Sequence, residues 1–440
     1  MSADAPLVCK FGGSSVADAE RIRAVAAIVA SDPRRRYIVV SAPGKRDATD
    51  HKVTDLLYLC HHTVRAGMSA GTAFGVIRRR YEEIASELGV SGVGQWLDEV
   101  EQGLEAGRSE DWVASRGEWL HAKLVAAFLD ARFVDAVECV EFAPNGRLSP
   151  TSFKRTRSAV QGDAVCVIPG FYGIDARGEV RTFSRGGSDI TGSIVARAVD
   201  AAAYENWTDV DGLLMADPGI VPNPRPIREV TYQELRELAY MGATVLHDEA
   251  VFPVREAGIP IHIRNTAAPD LPGTWIRTTR PASELPIVGV AGKAGFVAVQ
   301  IEKDLMNQTI GFGRRVLGIF EGHGVSFEHA PSSIDSMSVI VSEKDLLEHE
   351  QAILVEIART LEPDRVEALH GLALIATVGQ GMSHRVGVAG RLFGALADAG
   401  VNIRMIDQGA SEISIIVGVA SEDLARAVRA IYAAFVPTAQ

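Results

Sequence analysis

The 440 residues include only four cysteines, Cys9, Cys60, Cys139 and Cys166. None sits in a CxxC pair or at Cys/His zinc spacing, so neither a disulfide framework nor a structural zinc site is expected, and no protein-held metal. Reduced, mostly buried thiols remain. Long apolar runs are also missing. No stretch approaches the roughly 18 residues of a membrane span, and the start MSADAPLVCKF lacks the basic-then-apolar pattern of a secretory leader. A cytoplasmic protein with no membrane contact is expected. Positive charge is scarce as well: 44 Lys and Arg against 56 Asp and Glu leave a net charge of −12. That balance argues against a nucleic-acid partner, so any anionic ligand must find its cations locally.

What is present is the composition of a folded chain, 47% hydrophobic and 23% charged, at a length that suits two or three domains with separate cores. In the first half, short apolar runs alternate with helical patterns. PLVCKF is followed by apolar residues at helical spacing from Val16 to Ala30, then RYIVVSA, then a helix from Thr54. Such alternation marks βαβ units and a mainly parallel sheet between helical layers. Further strands are expected at FVDAVE, AVCVIPGF, AAAYENW and PIHIRN, with helices at Ser115 to Ala131 and Asp189 to Val199. The sheet is expected to end near Asn265. The proline-containing stretch from Ala267 to Pro286 then reads as a linker.

Beyond the linker the chain repeats itself. GFGRRVLGIFEGHGVSFEHAPSSIDSMSVIV from Gly311 lies without a gap over GVAGRLFGALADAGVNIRMIDQGASEISIIV from Gly387. Gly311/Gly387, Gly318/Gly394, Gly324/Gly400, Val325/Val401, Ser338/Ser414 and Val341/Val417 coincide. Each copy reads as helix, glycine turn, strand, turn, strand, and a repeat of this kind implies two packed modules. The expected division is 1–275, a linker and first strand over 276–295, a module over 296–370 and another over 371–440.

Two glycine turns carry chemistry. PLVCK runs into Phe11-Gly12-Gly13-Ser14-Ser15 and then a helix, so backbone N–H groups converge where the helix dipole is positive, a geometry that holds phosphate. Lys10 precedes the glycines, unlike the lysine of a P-loop, and sits at the strand end. Taken alone, this tract is equally an ordinary tight turn with a capping serine. The second turn, Thr182-Phe183-Ser184-Arg185-Gly186-Gly187-Ser188-Asp189, also follows a strand and opens a helix. Its arginine fork suits a carboxylate or phosphate, although an Arg185–Asp189 pair across the helix start is the plainer alternative. WTDVDGLLMADP, from Trp207 to Pro218, adds an aspartate-rich loop of the kind that contacts ribose, phosphates or a magnesium shell.

Together these residues resemble the aspartate kinase family, within the amino-acid-kinase fold, over essentially the whole chain. KFGGSS, SRGGSD and WTDVDG follow the family's order and spacing. Ser115-Arg116-Gly117-Glu118, MGATVLHDEA from Met241 and the C-terminal pair of ACT modules match as well. SAPGKR followed by KVTDLL, and the later EHAPSSIDSMSV, look like the monofunctional branch. The resemblance implies a three-layer α-β-α kinase domain followed by two ferredoxin-like βαββαβ modules. It implies ATP and Mg2+ as cofactors and L-aspartate as acceptor, with 4-phospho-L-aspartate as product. Lys10 would neutralise the transferring phosphoryl group, with Asp189 beside it. Phe11, Gly12, Gly13 and Ser14, with Thr208, Asp209, Asp217 and Thr244, would hold the nucleotide. Thr54, Glu118, Thr182, Arg185, Gly187 and Ser188 would form the acceptor pocket.

The chemistry fits without a catalytic histidine, because the attacking carboxylate is already ionised near neutral pH, its ordinary pKa being about 3.9. His61, His62 and His121 are accordingly read as surface or packing residues. Gly219 and Thr244 depart from the family, which often has arginine and lysine there; either Arg225 or Lys293 substitutes as the cation, or this branch holds ATP with fewer charges. In the repeat, the resemblance places an inhibitor at Met306, Thr309, Gly311, Ser326, Glu328, Ser332 and Asp335. The carboxylates favour lysine, with threonine as the other candidate, and ACT pairing between chains implies a homodimer, extensible to a tetramer. Two other readings stand beside this one: a relative in the superfamily acting on glutamate, carbamate or a nucleoside monophosphate, and a catalytically silent amino-acid sensor.

Overall fold

The computed structural model describes residues 5–184, 186–242, 248–281 and 284–437. The chain divides into two compact units, one comprising 1–213, 226–232 and 245–280, the other 214–225, 233–244 and 281–440.

The strands of the first unit are β1 (Leu7–Phe11), β2 (Arg35–Val40), β3 (Arg132–Phe133), β4 (Cys166–Pro169), β5 (Tyr172–Ile174), β6 (Val180–Thr182), β7 (Ala203–Thr208), β8 (Glu229–Thr231), β9 (Ile261–Asn265) and β10 (Thr274–Arg277). Eight form one sheet in the order β3-β4-β2-β1-β7-β9-β10-β8, and β5-β6 is a separate hairpin. Every pairing in the large sheet is parallel except β9 with β10. Strands buried on both faces read as continuous apolar runs, as LVCKF does. The helices are α1 (Ala19–Ala30), α2 (Val53–Arg65), α3 (Gly71–Leu88), α4 (Val93–Glu105), α5 (Glu110–Phe128), α6 (Ala136–Cys139), α7 (Thr151–Ala159), α8 (Gly187–Ala198), α9 (Tyr232–Tyr240) and α10 (Asp248–Glu256). Nearly every residue from Val113 to Ala126 in α5 is buried, as is most of α8, so polar groups on these two helices face the protein interior or a ligand.

Two expectations need correction. FVDAVE is not a strand beyond Phe133. Asp135 caps α6 instead, its carboxylate accepting from Val137 N–H while Glu138 reaches back to the cap backbone. That capping box overrides the β-propensity of the valines. Nor does the sheet end near Asn265: TWIR at β10 turns back antiparallel on β9 and pairs β8 on its other side, so part of the stretch read as linker is sheet.

The second unit contains β11 (Gly289–Glu302), β12 (Phe327–His329), β13 (Ser336–Ser342), β14 (Arg365–Val378), β15 (Met405–Asp407) and β16 (Ser414–Ala420). They form one antiparallel sheet, β12-β13-β11-β14-β16-β15. Helices α11 (Phe312–Gly322), α12 (Glu343–Leu346), α13 (Glu350–Leu361), α14 (Val388–Asp398) and α15 (Leu424–Phe435) complete it. Each repeat copy folds in the order read from sequence: α11, Gly324, β12, β13 and then α14, Gly400, β15, β16. The copies share β11. Its first part pairs residues Leu374–Val378 of β14, and its later part pairs both β13 and the start of β14. No helix among the described residues is long and apolar enough to cross a membrane.

Candidate active site

In an open parallel sheet, ligands bind beyond the carboxyl ends of the strands where the strand order reverses. Here that point is β1, flanked by β2 on one side and β7 on the other. Lys10 and Phe11 close β1, and the chain turns at once into a short helical turn, Gly13–Val16. Gly12 N–H donates to Trp207 O at 3.1 Å and Ser15 N–H to Gly12 O at 2.9 Å. Gly13 is required by crowding: a Cβ there would lie 2.8 Å from Ala42 O. Gly44 of SAPGKR presses on the same turn, donating its N–H to Gly13 O at 2.8 Å, and a Cβ on it would come within 2.6 Å of Gly13 C. The buried Arg80 guanidinium ties these pieces together, donating to His51 O at 2.9 Å, to Ala17 O at 3.3 Å and to Gly44 O.

The second glycine turn meets the first. Gly186 adopts a left-handed φ of 57° just before α8, and Asp189 in the first helical turn forms a 2.7 Å ion pair with Lys10 Nζ. Asn206 of β7 donates its Nδ2–H to the same Asp189 oxygen at 2.8 Å. Removing one member of so enclosed a pair would strand the other, at a cost of about 3–5 kcal/mol. Gly187 and Ser188 pack against the Gly170-Phe171 turn, where a Cβ on Gly187 would lie 2.8 Å from Phe171 Cα. Arg185 lies outside the described residues.

Glu118 projects from the buried centre of α5. Burial raises its carboxyl to about 8, partly opposed by the Ala42 N–H that donates to it, and its Oε2 has no hydrogen-bond partner. Thr54, at the start of α2, is half-buried. Thr182 donates to Asp111 Oδ1 at 2.5 Å, in the first turn of the same helix α5, so its hydroxyl is already engaged.

Thr208 and Asp209 line a cavity of about 990 Å³ with Ser14, Ser15, Lys45 and Asn265. Beneath it Glu205 gathers donors: Arg35 Nε at 2.8 Å, Trp207 Nε1 at 3.0 Å and Arg264 at 3.4 Å. Burial lifts that carboxyl, but Arg35, with Cys9 and Trp207, more than offsets it and holds the group below its ordinary value. Asp217 falls in the second compact unit, where its carboxylate accepts the Gly219 N–H at 2.8 Å in a local turn. Arg225 and Lys293, the expected substitute cations, also belong to that unit. Thr244 lies outside the described residues. Lys45, Gly44, Arg80 and Asn206 were not singled out from sequence. For Lys45 and Gly44 the signal was present in SAPGKR, but nothing in the order of residues says that this loop folds onto KFGG.

His121 is buried beside Tyr81 with both ring nitrogens unpartnered, and burial lowers its pKa to about 3. His61 is buried and His62 exposed. All four cysteines are free and buried.

In the second unit, Leu305 N–H donates to Asp335 Oδ1 at 2.9 Å and Lys303 N–H to Asp335 O at 2.8 Å. These bonds gather Asp335 against the loop carrying Met306 and Thr309, which leads to Gly311, φ 76°, at the start of α11. Ser326 is exposed and Glu328 half-buried. Ser332 lines a groove of about 790 Å³ with Gln300, Ser338 and Arg404.

Both parts of the chain resemble known proteins. The amino acid kinase family matches residues 5–265, and an ACT domain matches 375–435. Aspartokinase 3 of Bacillus subtilis (strain 168) is 42% identical over 97% of this chain and 98% of its own length. The chain belongs to the aspartokinases. Among solved aspartokinases, the Clostridium acetobutylicum enzyme superposes with a TM-score of 0.93 at 48% identity, covering 98% of this chain and 100% of that one. Aspartokinase III of E. coli superposes with a TM-score of 0.74 in two forms. One is in complex with aspartate and ADP, at 26% identity, and the other with lysine and aspartate, at 27%; each covers 98% of this chain and 99% of its own.

Proposed function

We propose that this aspartokinase transfers the γ-phosphoryl group of MgATP to the β-carboxylate of L-aspartate. The observation that carries the assignment of roles is the Lys10–Asp189 pair, which joins the two glycine turns at the reversal point of the sheet. An oxygen of the β-carboxylate attacks the γ-phosphorus and the bond to the bridging oxygen breaks, giving 4-phospho-L-aspartate and ADP. No proton moves. The barrier is electrostatic, an anion approaching a polyanion, and Lys10 with the N–H groups of Gly12, Gly13 and Ser14 supplies compensating charge. Magnesium, bound with the nucleotide, would add to the charge that Lys10 and these N–H groups supply. Thr208 and Asp209 contact the nucleotide from the cavity they line, whereas Asp217 and Thr244 keep only the support of the family resemblance.

Glu118 receives the acceptor's α-ammonium, Arg185 its α-carboxylate, and Thr54, Gly187 and Ser188 shape the pocket. The complex of E. coli aspartokinase III with aspartate and ADP supports this pairing of ligands. A hydroxamate assay with MgATP tests it: aspartate should give product while glutamate and the blank give none, and product with glutamate alone would overturn the acceptor assignment.

The repeat is a regulatory pair of ACT modules that feeds amino-acid levels back on this first step of the aspartate-derived pathway, within a homodimer. Lysine is the effector favoured by Glu328 and Asp335, and the lysine complex of E. coli aspartokinase III supports that choice. Glu328→Ala and Ser332→Ala are expected to raise the concentration of lysine for half-inhibition at least about tenfold, the loss of one charge-assisted contact. Inhibition curves that superpose on the wild type for lysine, threonine and methionine would remove the effector from this pocket.

A further inference from the structure

Helix α9 begins in the first compact unit at Tyr232 and continues in the second from Gln233. Its first residue is held in the first unit, Tyr232 Oη–H donating to Ile259 O at 2.6 Å. Glu234, Leu238 and Tyr240, further along, meet residues of the second unit. Glu234 Oε1 accepts the N–H of Gln380 at 2.8 Å, just past β14, and Leu238 packs so close to β11 that a Cβ on Gly289 would sit 3.2 Å from it. At its far end the hydroxyl of Tyr240 donates to Glu328 Oε2 on β12. Tyr240 is 56% exposed, so core packing does not dictate where its ring lies.

Glu328 is half-buried, with His329 and Asp345 the titratable groups that act on it. A carboxylate in that position gains from any donor. An effector ammonium needs the oxygen that the tyrosine hydroxyl now occupies. We propose that Tyr240 holds the place of the effector: its hydroxyl caps Glu328 while the amino-acid pocket is empty, and an incoming side-chain ammonium displaces it. Displacement releases the end of α9, and the helix carries the change along the chain toward the kinase unit. This rests on the reading of Glu328 as an effector contact and adds to it the means by which occupancy is reported.

Two effects follow from competition for one oxygen. An effector that must first displace a hydrogen bond binds more weakly than its contacts alone allow, and the displaced group carries the signal. Tyr240→Phe removes the hydroxyl and keeps the ring. Calorimetric titration of the full-length enzyme with L-lysine should give about tenfold tighter binding in Tyr240→Phe than in wild type, the value of one hydrogen bond to a charged group. Turnover without lysine should be unchanged, and saturating lysine should inhibit the variant less completely. Equal or weaker binding in Tyr240→Phe overturns the displacement, and tighter binding with undiminished inhibition overturns the relay, while both leave the pocket assignment standing. Absence of lysine binding to wild type, or undiminished binding to Glu328→Ala, overturns the pocket assignment and the proposal together.

Discussion

Lys10→Met is expected to lower kcat by about a thousandfold or more at saturating MgATP and aspartate, because a preorganised cation aimed at developing phosphoryl charge is worth at least that much. Methionine preserves the length and apolar bulk of the stem but removes the ammonium. The substitution has a second effect. Asp189 would keep the Asn206 N–H but lose its ion pair, so stability should fall by up to about 3–5 kcal/mol. The two losses separate in the double variant. Lys10→Met with Asp189→Asn removes the stranded charge, so the melting temperature should recover while turnover stays low. Rapid-quench turnover and thermal melts on the three proteins read both quantities, and a Lys10→Met enzyme within about tenfold of wild type would end the role given to this lysine.

The acceptor's affinity should rise with pH up to the titration of Glu118. In the free enzyme burial keeps this carboxyl protonated until about pH 8, yet pairing with an ammonium demands the charged form. Binding aspartate therefore expels a proton below that pH. The dissociation constant should fall by up to about tenfold for each unit between pH 6 and 8, and level off above. The sign for folding is opposite to that of an ordinary ion-paired carboxylate. A folded pKa above the unfolded value means that stability declines as pH climbs from the usual glutamate range through about 8. Glu118→Gln should bind aspartate more weakly and lose the slope, because the amide cannot titrate. Titration calorimetry across this range decides, and a slope retained in Glu118→Gln would assign the proton elsewhere.

Much of this was legible in the residues. Short apolar runs alternating with helical patterns located β1, β2, β4, β7 and β9, and the ungapped alignment of Gly311 with Gly387 revealed a duplicated module. Errors arose where a local competitor was stronger than propensity. Asp135 and Glu138 cap a helix inside an apolar run that otherwise reads as strand, and β10 hides in a proline-containing stretch because an antiparallel return needs only a few residues. The neighbourhood of the Lys10–Asp189 pair was legible where one motif contained both backbone and side chain, as in KFGGSS and SRGGSD. It was hidden where partners come from distant strands. Asn206 supports Asp189 from β7, and Arg80 reaches Ala17 and Gly44 beside the first glycine turn from α3; neither has a spacing that sequence can display, since tertiary packing alone brings them near. Tyr240 was invisible for the same reason.

The shared strand β11 has a consequence for biosynthesis. It is 14 residues long, and its central partner β14 begins only at Arg365, after all of the intervening copy has been made. A nascent chain that has emerged only as far as β13 leaves one flank of β11 bare, a ready template for pairing with another chain. Closure is long-range and correspondingly slow. Ribosome pausing in the stretch between β13 and β14 therefore sets how long that edge stays open to aggregation.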